Sequence, residues 1–322
     1  MNLFSSDNHL LQLAKSGYRL PESLQKYSGA LDKIYPVIAL ILAVIFIFVA
    51  QIGGGIAAFV VLIPFSLRRY GHLPTMESLL TPATGLESAI LLIFTFGPVF
   101  LIVWAWIFLF EKRAPWTIGL EKRRALRNYL RGLLLGLAMF GAATGILAAL
   151  GYVAFEQGDP RKQGLAALGS VLIIFAGWMV QGAAEEALVR GWLLPVIGSR
   201  YTALAGVGVS SLLFAALHLL NPGVSPIAVL NLFLFGVFAS LFALREGGLW
   251  GVFGIHAAWN WAQGNLLGFE VSGNPVSGTL INLMEVGPDS ITGGVFGPEG
   301  GLAVTAVLLI GSALTVLVNN EQ

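Results

Sequence analysis

Cysteine is absent from this 322-residue chain, and charged residues are scarce. Without cysteine, disulfides and thiolate metal sites are excluded. Asp, Glu, Lys and Arg together make up 11% of the residues, whereas a soluble domain contains about 25%. The net charge of only +1 lacks the basic excess on which nucleic-acid binding depends, so no nucleic-acid partner is expected. The composition therefore disfavours a soluble domain with a charged surface.

Long apolar runs take up most of the chain, and hydrophobic residues make up 56% of it. Several runs approach or exceed the about 20 apolar residues that cross a bilayer as a helix. They lack the alternation of apolar and polar residues that marks barrel strands. We therefore expect an all-α, polytopic membrane helix bundle of about eight transmembrane helices, with the lipid of a cell membrane as its partner. The predicted spans are 34–51 (with an extension to 66 as the alternative), 87–110, 130–155, 168–197, 201–220, 227–244, 249–268 and 301–318.

Residues 1–33 are predicted to form a polar N-terminal arm, and residues 34–322 the bundle. The arm contains no apolar core of a signal peptide, so we do not expect a cleaved leader. Segment 111–129 carries six Lys and Arg residues, whereas segment 269–300 carries four acidic residues and no basic one. Because basic loops stay in the cytoplasm, we expect both termini and segment 111–129 to be cytoplasmic and segment 269–300 to lie outside.

Five ionisable residues lie inside apolar segments, where a membrane protein tolerates them least. They are Glu185, Glu186, Arg190, His218 and His256. An ionisable group in the hydrocarbon costs about 2.5–3.5 kcal/mol by the milder scales, so it faces a bundle interior or a water-filled cavity. All five fall within one 72-residue window, which predicts a functional site.

The two glutamates are predicted to have different roles. Glu186 and Arg190 are four residues apart, so they are neighbours on a helix and can form an ion pair. Glu185 points about 100° away from Glu186 and is expected to remain free of the guanidinium. A buried, unpaired carboxylate is suited to work as a general base.

The next apolar segments add an imidazole and two hydrogen-bond donors. Phe214 and His218 share a helix face, as do His256 and Asn260. Both members of the second pair can donate to a developing oxyanion. A hydrolase that activates water without a covalent nucleophile needs this set. Three alternatives stay open: packed histidines, an ion pair that only stabilises the bundle, or a proton-coupled transporter, although a transporter would more often show the repeat symmetry that is not found here.

Three motifs, in this order, resemble those of the CPBP family, the CAAX proteases and bacteriocin-processing enzymes also called the Abi family. They are Glu185-Glu186-x-x-x-Arg190, Phe214-x-x-x-His218 and His256-x-x-x-Asn260. The resemblance implies an intramembrane endopeptidase whose catalytic core lies at about 168–268. It implies that Glu185 and His218 activate water. It further implies that His256 and Asn260 form the oxyanion hole, while Glu186, Arg190 and Phe214 support the site.

The same residue types leave a metal site as an alternative. Glu185, His218 and His256 could together bind zinc, as comparable sets do in zinc proteases. The chain has no His-Glu-x-x-His motif on a helix, and Asn260 would be an uncommon ligand. We therefore expect no metal cofactor, with zinc as the alternative.

The resemblance also implies a protein or peptide substrate, which a membrane anchor could carry. Whether that substrate is prenylated is not readable from the sequence. A catalytically silent scaffold, or a partner of the bacteriocin-immunity type on the same fold, is the alternative function.

The helix lengths raise one geometric difficulty. Counted along each helix from the nearest cytoplasmic turn, Glu185 lies at a depth of about 21 Å, His218 at about 26 Å and His256 at only about 10 Å. A single site requires these depths to converge, which tilted helices, a re-entrant first turn or late helix starts would achieve.

Overall fold

The computed structural model describes residues 3–15, 28–80 and 82–318, and nearly all of its regular structure is helical. This confirms the predicted all-α membrane bundle. The helices are α1 (His9–Lys15), α2 (Ser28–Tyr70), α3 (Met76–Leu80), α4 (Gly85–Leu109), α5 (Ala125–Ala149), α6 (Leu168–Glu186), α7 (Leu194–Arg200), α8 (Ala203–Leu217), α9 (Pro226–Glu246), α10 (Trp250–Trp261), α11 (Asp289–Thr292) and α12 (Leu302–Leu317). Two π-helical segments, Ala187–Leu193 and Ala262–Leu266, follow α6 and α10 directly.

Each of the eight predicted spans falls on a helix of the bundle. Among the described residues, five helical stretches are long and apolar enough to cross a membrane, while α8 and α12 are shorter apolar helices. The third predicted span extends too far, because α5 ends at Ala149 and the chain turns at Gly151 with φ of 77°. Strand β1 (Val153–Phe155) follows and pairs antiparallel with β2 (Leu283–Glu285).

Helix α2 is much longer than the span predicted for it. Its 43 residues extend about 65 Å at 1.5 Å per residue, and it begins at Ser28, within the predicted arm. The glycines at 53–55 do not interrupt it. Gly54 instead allows close packing against α4, because a Cβ at this position would collide with the carbonyl of Phe94.

The segment that carries the glutamates is a single long helix with a widened turn. Helix α6 continues through the π-helical Ala187–Leu193 into α7. Pro195 has no backbone N–H for the carbonyl of Gly191, and its ring crowds that carbonyl. The turn before Pro195 therefore cannot stay regular, and π-helical turns inside α-helices are frequent at functional sites.

The position of α10 in the bundle removes the difficulty with the depths of His256 and Glu185. Leu249, just before α10, lies against Gly191, which is six residues after Glu185. At 1.5 Å per residue, Glu185 is therefore about 9 Å and His256 about 10 Å beyond this contact. The space left on the loop side of Leu249 is filled by α1 and by a short 3-10 helix, Pro115–Ile118.

Candidate active site

A cavity of about 420 Å³ lies between the helices of the bundle. Helices α2, α4, α6, α8, α9, α10 and α12 and segment 271–276 contribute to its wall, and most of the lining side chains are apolar. The four residues predicted to be catalytic all line it, Glu185, His218, His256 and Asn260, and so does Phe214. Side chains on opposite sides of the bundle would have excluded a single site. The structure instead brings these four side chains to one cavity.

Glu186 and Arg190 form an ion pair beneath the cavity wall. Arg190 Nη1 donates to Glu186 Oε1 at 3.0 Å, and neither side chain is exposed. The guanidinium carbon of Arg190 also lies 4.4 Å from the centre of the Phe214 ring, a cation–π contact that gains strength when it is desolvated. The pair therefore joins the π-helical turn to helix α8.

His256 lies between the two glutamates. Its Nδ1 is 2.9 Å from Glu186 Oε1, and its Nε2 is 3.8 Å from Glu185 Oε2. Because a carboxylate only accepts hydrogen bonds, Nδ1 carries the hydrogen in the closer contact. Glu185 Oε2 has no hydrogen-bond partner among the described residues. One glutamate is thus engaged by an arginine and a histidine, while the other remains available at the cavity.

His218 stands at the C-terminal end of α8, where the helix stops. Its Nδ1 is 2.7 Å from the backbone carbonyl of Phe214, which is an acceptor, so Nδ1 carries the hydrogen. Nε2 is then the nitrogen left for other chemistry. The Phe214 ring packs on the imidazole with ring centres 4.7 Å apart and so restricts its orientation.

Gln181 belongs to the site but was not among the predicted residues. Asn260 Nδ2 donates to Gln181 Oε1 at 2.8 Å, and both side chains are buried. An amide group has two hydrogens, so Asn260 retains one for another acceptor. The sequence contains a signal for this contact, since Gln181 lies one helical turn before Glu185 on the same apolar segment.

The loop 269–300 also contributes to the cavity, although the sequence motifs do not include it. Glu299 Oε1 accepts from Trp259 Nε1 at 3.0 Å, and Oε2 accepts from the backbone N–H and the hydroxyl of Ser272 at 3.0 and 2.7 Å. These three residues line the cavity. Glu299 therefore ties the loop to the helix that carries His256 and Asn260.

A second buried polar cluster supports the π-helical turn from the opposite side. Glu111 accepts hydrogen bonds from Trp192 at 2.6 Å, from Tyr35 at 2.5 Å and from Arg113 at 2.5 Å. Trp192 lies two residues after Arg190 within the widened turn. The cluster therefore fixes the turn that holds the Glu186–Arg190 pair, and its members do not line the cavity.

The predicted alternative of a zinc site can be compared with this arrangement. Among the described residues, no group of three or more His, Cys, Asp and Glu side chains is arranged to hold a metal ion. The two nitrogens of His256 face carboxylates, and His218 Nδ1 faces a backbone carbonyl. Both histidines are hydrogen-bonded through Nδ1, which is also how a histidine that binds zinc through Nε2 is oriented, so zinc stays the alternative that the chelator experiment below tests.

The fold and the cavity define a membrane-embedded helix bundle with its polar site inside the apolar layer. Residues 167–262 match the family described as type II CAAX prenyl endopeptidase Rce1-like. The match confirms the resemblance to CAAX proteases that the three motifs indicated, and it covers less than a third of the chain. Comparisons with curated proteins and with solved structures gave no match.

Proposed function

We propose that this protein is an intramembrane endopeptidase that hydrolyses peptide bonds with an activated water molecule. The main support is the shared cavity. A free carboxylate, two imidazoles and an amide donor line it, and the rest of its wall is mostly apolar. A hydrolysis reaction of this type needs a base, a proton donor and donors for the oxyanion. The family match at 167–262 supports a protease.

In the proposed reaction, Glu185 and His218 take a proton from water as its oxygen attacks the peptide carbonyl. The new C–O bond moves one electron pair onto the carbonyl oxygen, which becomes an oxyanion. The second amide hydrogen of Asn260 donates to that oxygen, and so does Nε2–H of His256 in its imidazolium form, because Nδ1–H is engaged by Glu186. When the intermediate collapses, the C–N bond breaks, and the departing amine receives the proton held by Glu185 and His218. This assigns no step to a metal.

The test uses the full-length protein in lipid nanodiscs with a library of internally quenched apolar peptides. We expect cleavage by the wild-type protein and its loss in Glu185→Gln, which keeps the shape but removes the base. Glu156→Gln, which changes an exposed carboxylate outside the cavity, serves as the matched control and should retain activity.

The same assay with a chelator distinguishes the proposed mechanism from a metal-dependent one. We expect 1,10-phenanthroline to leave cleavage unchanged. Activity that disappears with the chelator and returns with zinc would replace the proposed mechanism with a metal-dependent one. If no peptide in the library is cleaved and Glu185→Gln behaves as wild type in every assay, the protein is a silent scaffold.

A further inference from the structure

The two faces of the bundle carry opposite charge. The basic face is the side of the bundle formed by segments 28–33, 110–124, 200–203, 245–250 and 315–318. The acidic face is the side formed by segments 70–80, 82–84, 150–167, 218–225 and 267–301. Contacts assign the first set to one side, because Tyr201 bonds to the carbonyl of Lys33, Leu249 to that of Gly119 and Arg245 to that of Thr315. The β1–β2 pair and the bond from Asn221 to Ser272 join the second set.

The described cations are concentrated on or next to the basic face. Eleven Lys and Arg residues lie there: Lys15, Lys33, Lys112, Arg113, Lys122, Arg123, Arg124, Arg127, Arg131, Arg200 and Arg245. Four lie on or next to the acidic face: Arg68, Arg69, Arg161 and Lys162. Basic loops remain in the cytoplasm, so the acidic face is expected to be extracytoplasmic.

The cavity reaches the surface on the acidic face. Asn274 and Pro275 line the cavity and are exposed. Asn221 and Ser272 line it next to them, and they join two segments of the same face by a hydrogen bond of 3.1 Å. Pro82, from the segment between α3 and α4, contributes from the other side. These residues form a mixed polar and apolar rim around the opening.

Towards the basic face, the cavity ends on a closed layer of side chains. Leu188 and Val189 form its floor and are 0% and 1% exposed. Trp192, Leu249 and Ile118 lie in the next layer, and each is 0% exposed. Helix α1 covers this layer from outside with the fully buried Leu10 and Leu11. A peptide from the cytoplasm would have to displace two packed layers and α1 to reach Glu185.

We propose that the candidate active site admits its substrate from the extracytoplasmic face. The substrate is then a peptide segment outside the cytoplasm or in the outer half of the membrane. Apolar side chains beside its scissile bond would fit a cavity wall that is mostly apolar. That the entering molecule is a substrate rests on the proposed endopeptidase function. The side from which the cavity is reached is a separate property and does not depend on that function.

The absence of cysteine makes the direction of access measurable without a background signal. Thr95→Cys places a thiol in the cavity wall, and Phe94→Cys places one on the exposed surface of the same helix. Each full-length variant is treated, in right-side-out and in inverted membrane vesicles, with a charged, membrane-impermeant methanethiosulfonate. Asn274→Cys and Lys122→Cys mark the acidic and the basic face.

We expect Thr95→Cys and Asn274→Cys to react in right-side-out vesicles and Lys122→Cys to react only in inverted ones. Phe94→Cys should react in neither, because a charged reagent does not enter the lipid. Reaction of Thr95→Cys from the inverted side only, or from neither side, would overturn the proposal. Adding Glu185→Gln to Thr95→Cys should leave labelling unchanged, so a failed protease assay and a failed access assay are distinguishable.

Discussion

At the scale of single residues, the two adjacent glutamates differ in their partners. Glu186 contacts Arg190 and His256 at 3.0 and 2.9 Å, whereas among the described residues the one ion-pair contact of Glu185 is that to His256 at 3.8 Å. Removing one member of a fully buried pair leaves an uncompensated charge, which costs about 3–5 kcal/mol. The same substitution at the freer carboxylate leaves no arginine stranded. Stability and activity should therefore separate at these two positions.

Glu186→Gln should lower the free energy of unfolding by about 3–5 kcal/mol, because Arg190 loses the only carboxylate to which it is hydrogen-bonded among the described residues. Glu185→Gln should leave stability nearly unchanged while abolishing cleavage. Thermal unfolding in detergent, with both variants measured side by side, checks this. Equal loss of stability in the two variants would contradict the assignment of roles.

Gln181 is predicted to position Asn260 rather than to react itself. Gln181→Met keeps the volume but removes the oxygen that accepts from Asn260, so the amide loses its fixed orientation. We expect kcat to fall and KM to stay unchanged, with a smaller loss than the about 10²–10³-fold expected for Asn260→Ala. Steady-state kinetics with a cleaved peptide provide the measurement.

Gln181→Glu is the matched control, because it restores an acceptor oxygen at the same place. It should keep more activity than the methionine variant. A rise in KM at constant kcat in Gln181→Met would instead identify a substrate-binding residue.

At the scale of helices, strands and loops, the regular helical features were readable from the sequence and the irregular ones were not. Apolar length indicated a helix at each of the eight predicted spans, five of them long enough to cross a membrane among the described residues, and the spacing of Glu186 and Arg190 indicated their pair. The π-helical turn does not follow from a regular 100° per residue, although Pro195 is a signal for a disturbed turn. The position of α10 in the bundle was not readable from the sequence, because it depends on α1 and the 3-10 helix filling the space beside Leu249.

The outer ribbon of β1 and β2 has a predicted pH dependence of its own. Burial, with further contributions from the carboxylates of Glu270 and Glu156, raises the pKa of Glu285 from 4.5 to about 7. The folded ribbon therefore holds this proton more tightly than the unfolded chain does. Protonated Glu285 therefore contributes to the stability of the folded protein below about pH 4.5. This contribution is lost as the pH rises to about 7, and above that pH the stability no longer changes through this group.

Hydrogen exchange of the ribbon amides between pH 4.5 and 8, corrected for the intrinsic dependence of exchange on pH, should show protection that decreases over this window. Glu285→Gln should flatten the decrease, since the amide does not titrate. A decrease of the same size in both proteins would assign it to another group.

At the scale of the whole molecule, the cavity depends on parts that are far apart in the chain. The helices of segment 167–262 supply the motif residues, α2 and α4 supply the facing wall, and the loop 269–300 supplies the outer rim. The motifs therefore predicted the reactive groups but not the enclosure around them. The loop is held on this assembly by Glu299, which bonds to Trp259 on α10 and to Ser272 within the loop.

Glu299→Gln should loosen the outer rim without unfolding the bundle. The amide nitrogen that replaces one carboxylate oxygen is a donor and cannot accept from Trp259 or Ser272, so one of these buried donors loses its partner at a cost of about 1–3 kcal/mol. We expect faster hydrogen exchange in segment 271–276, with unchanged exchange in α6. Glu270→Gln, whose carboxylate makes no hydrogen bond among the described residues, is the control in the same loop. Unchanged exchange in Glu299→Gln would show that the rim is held by its apolar contacts, since the hydrogen bonds of Glu299 would then contribute little to closing it.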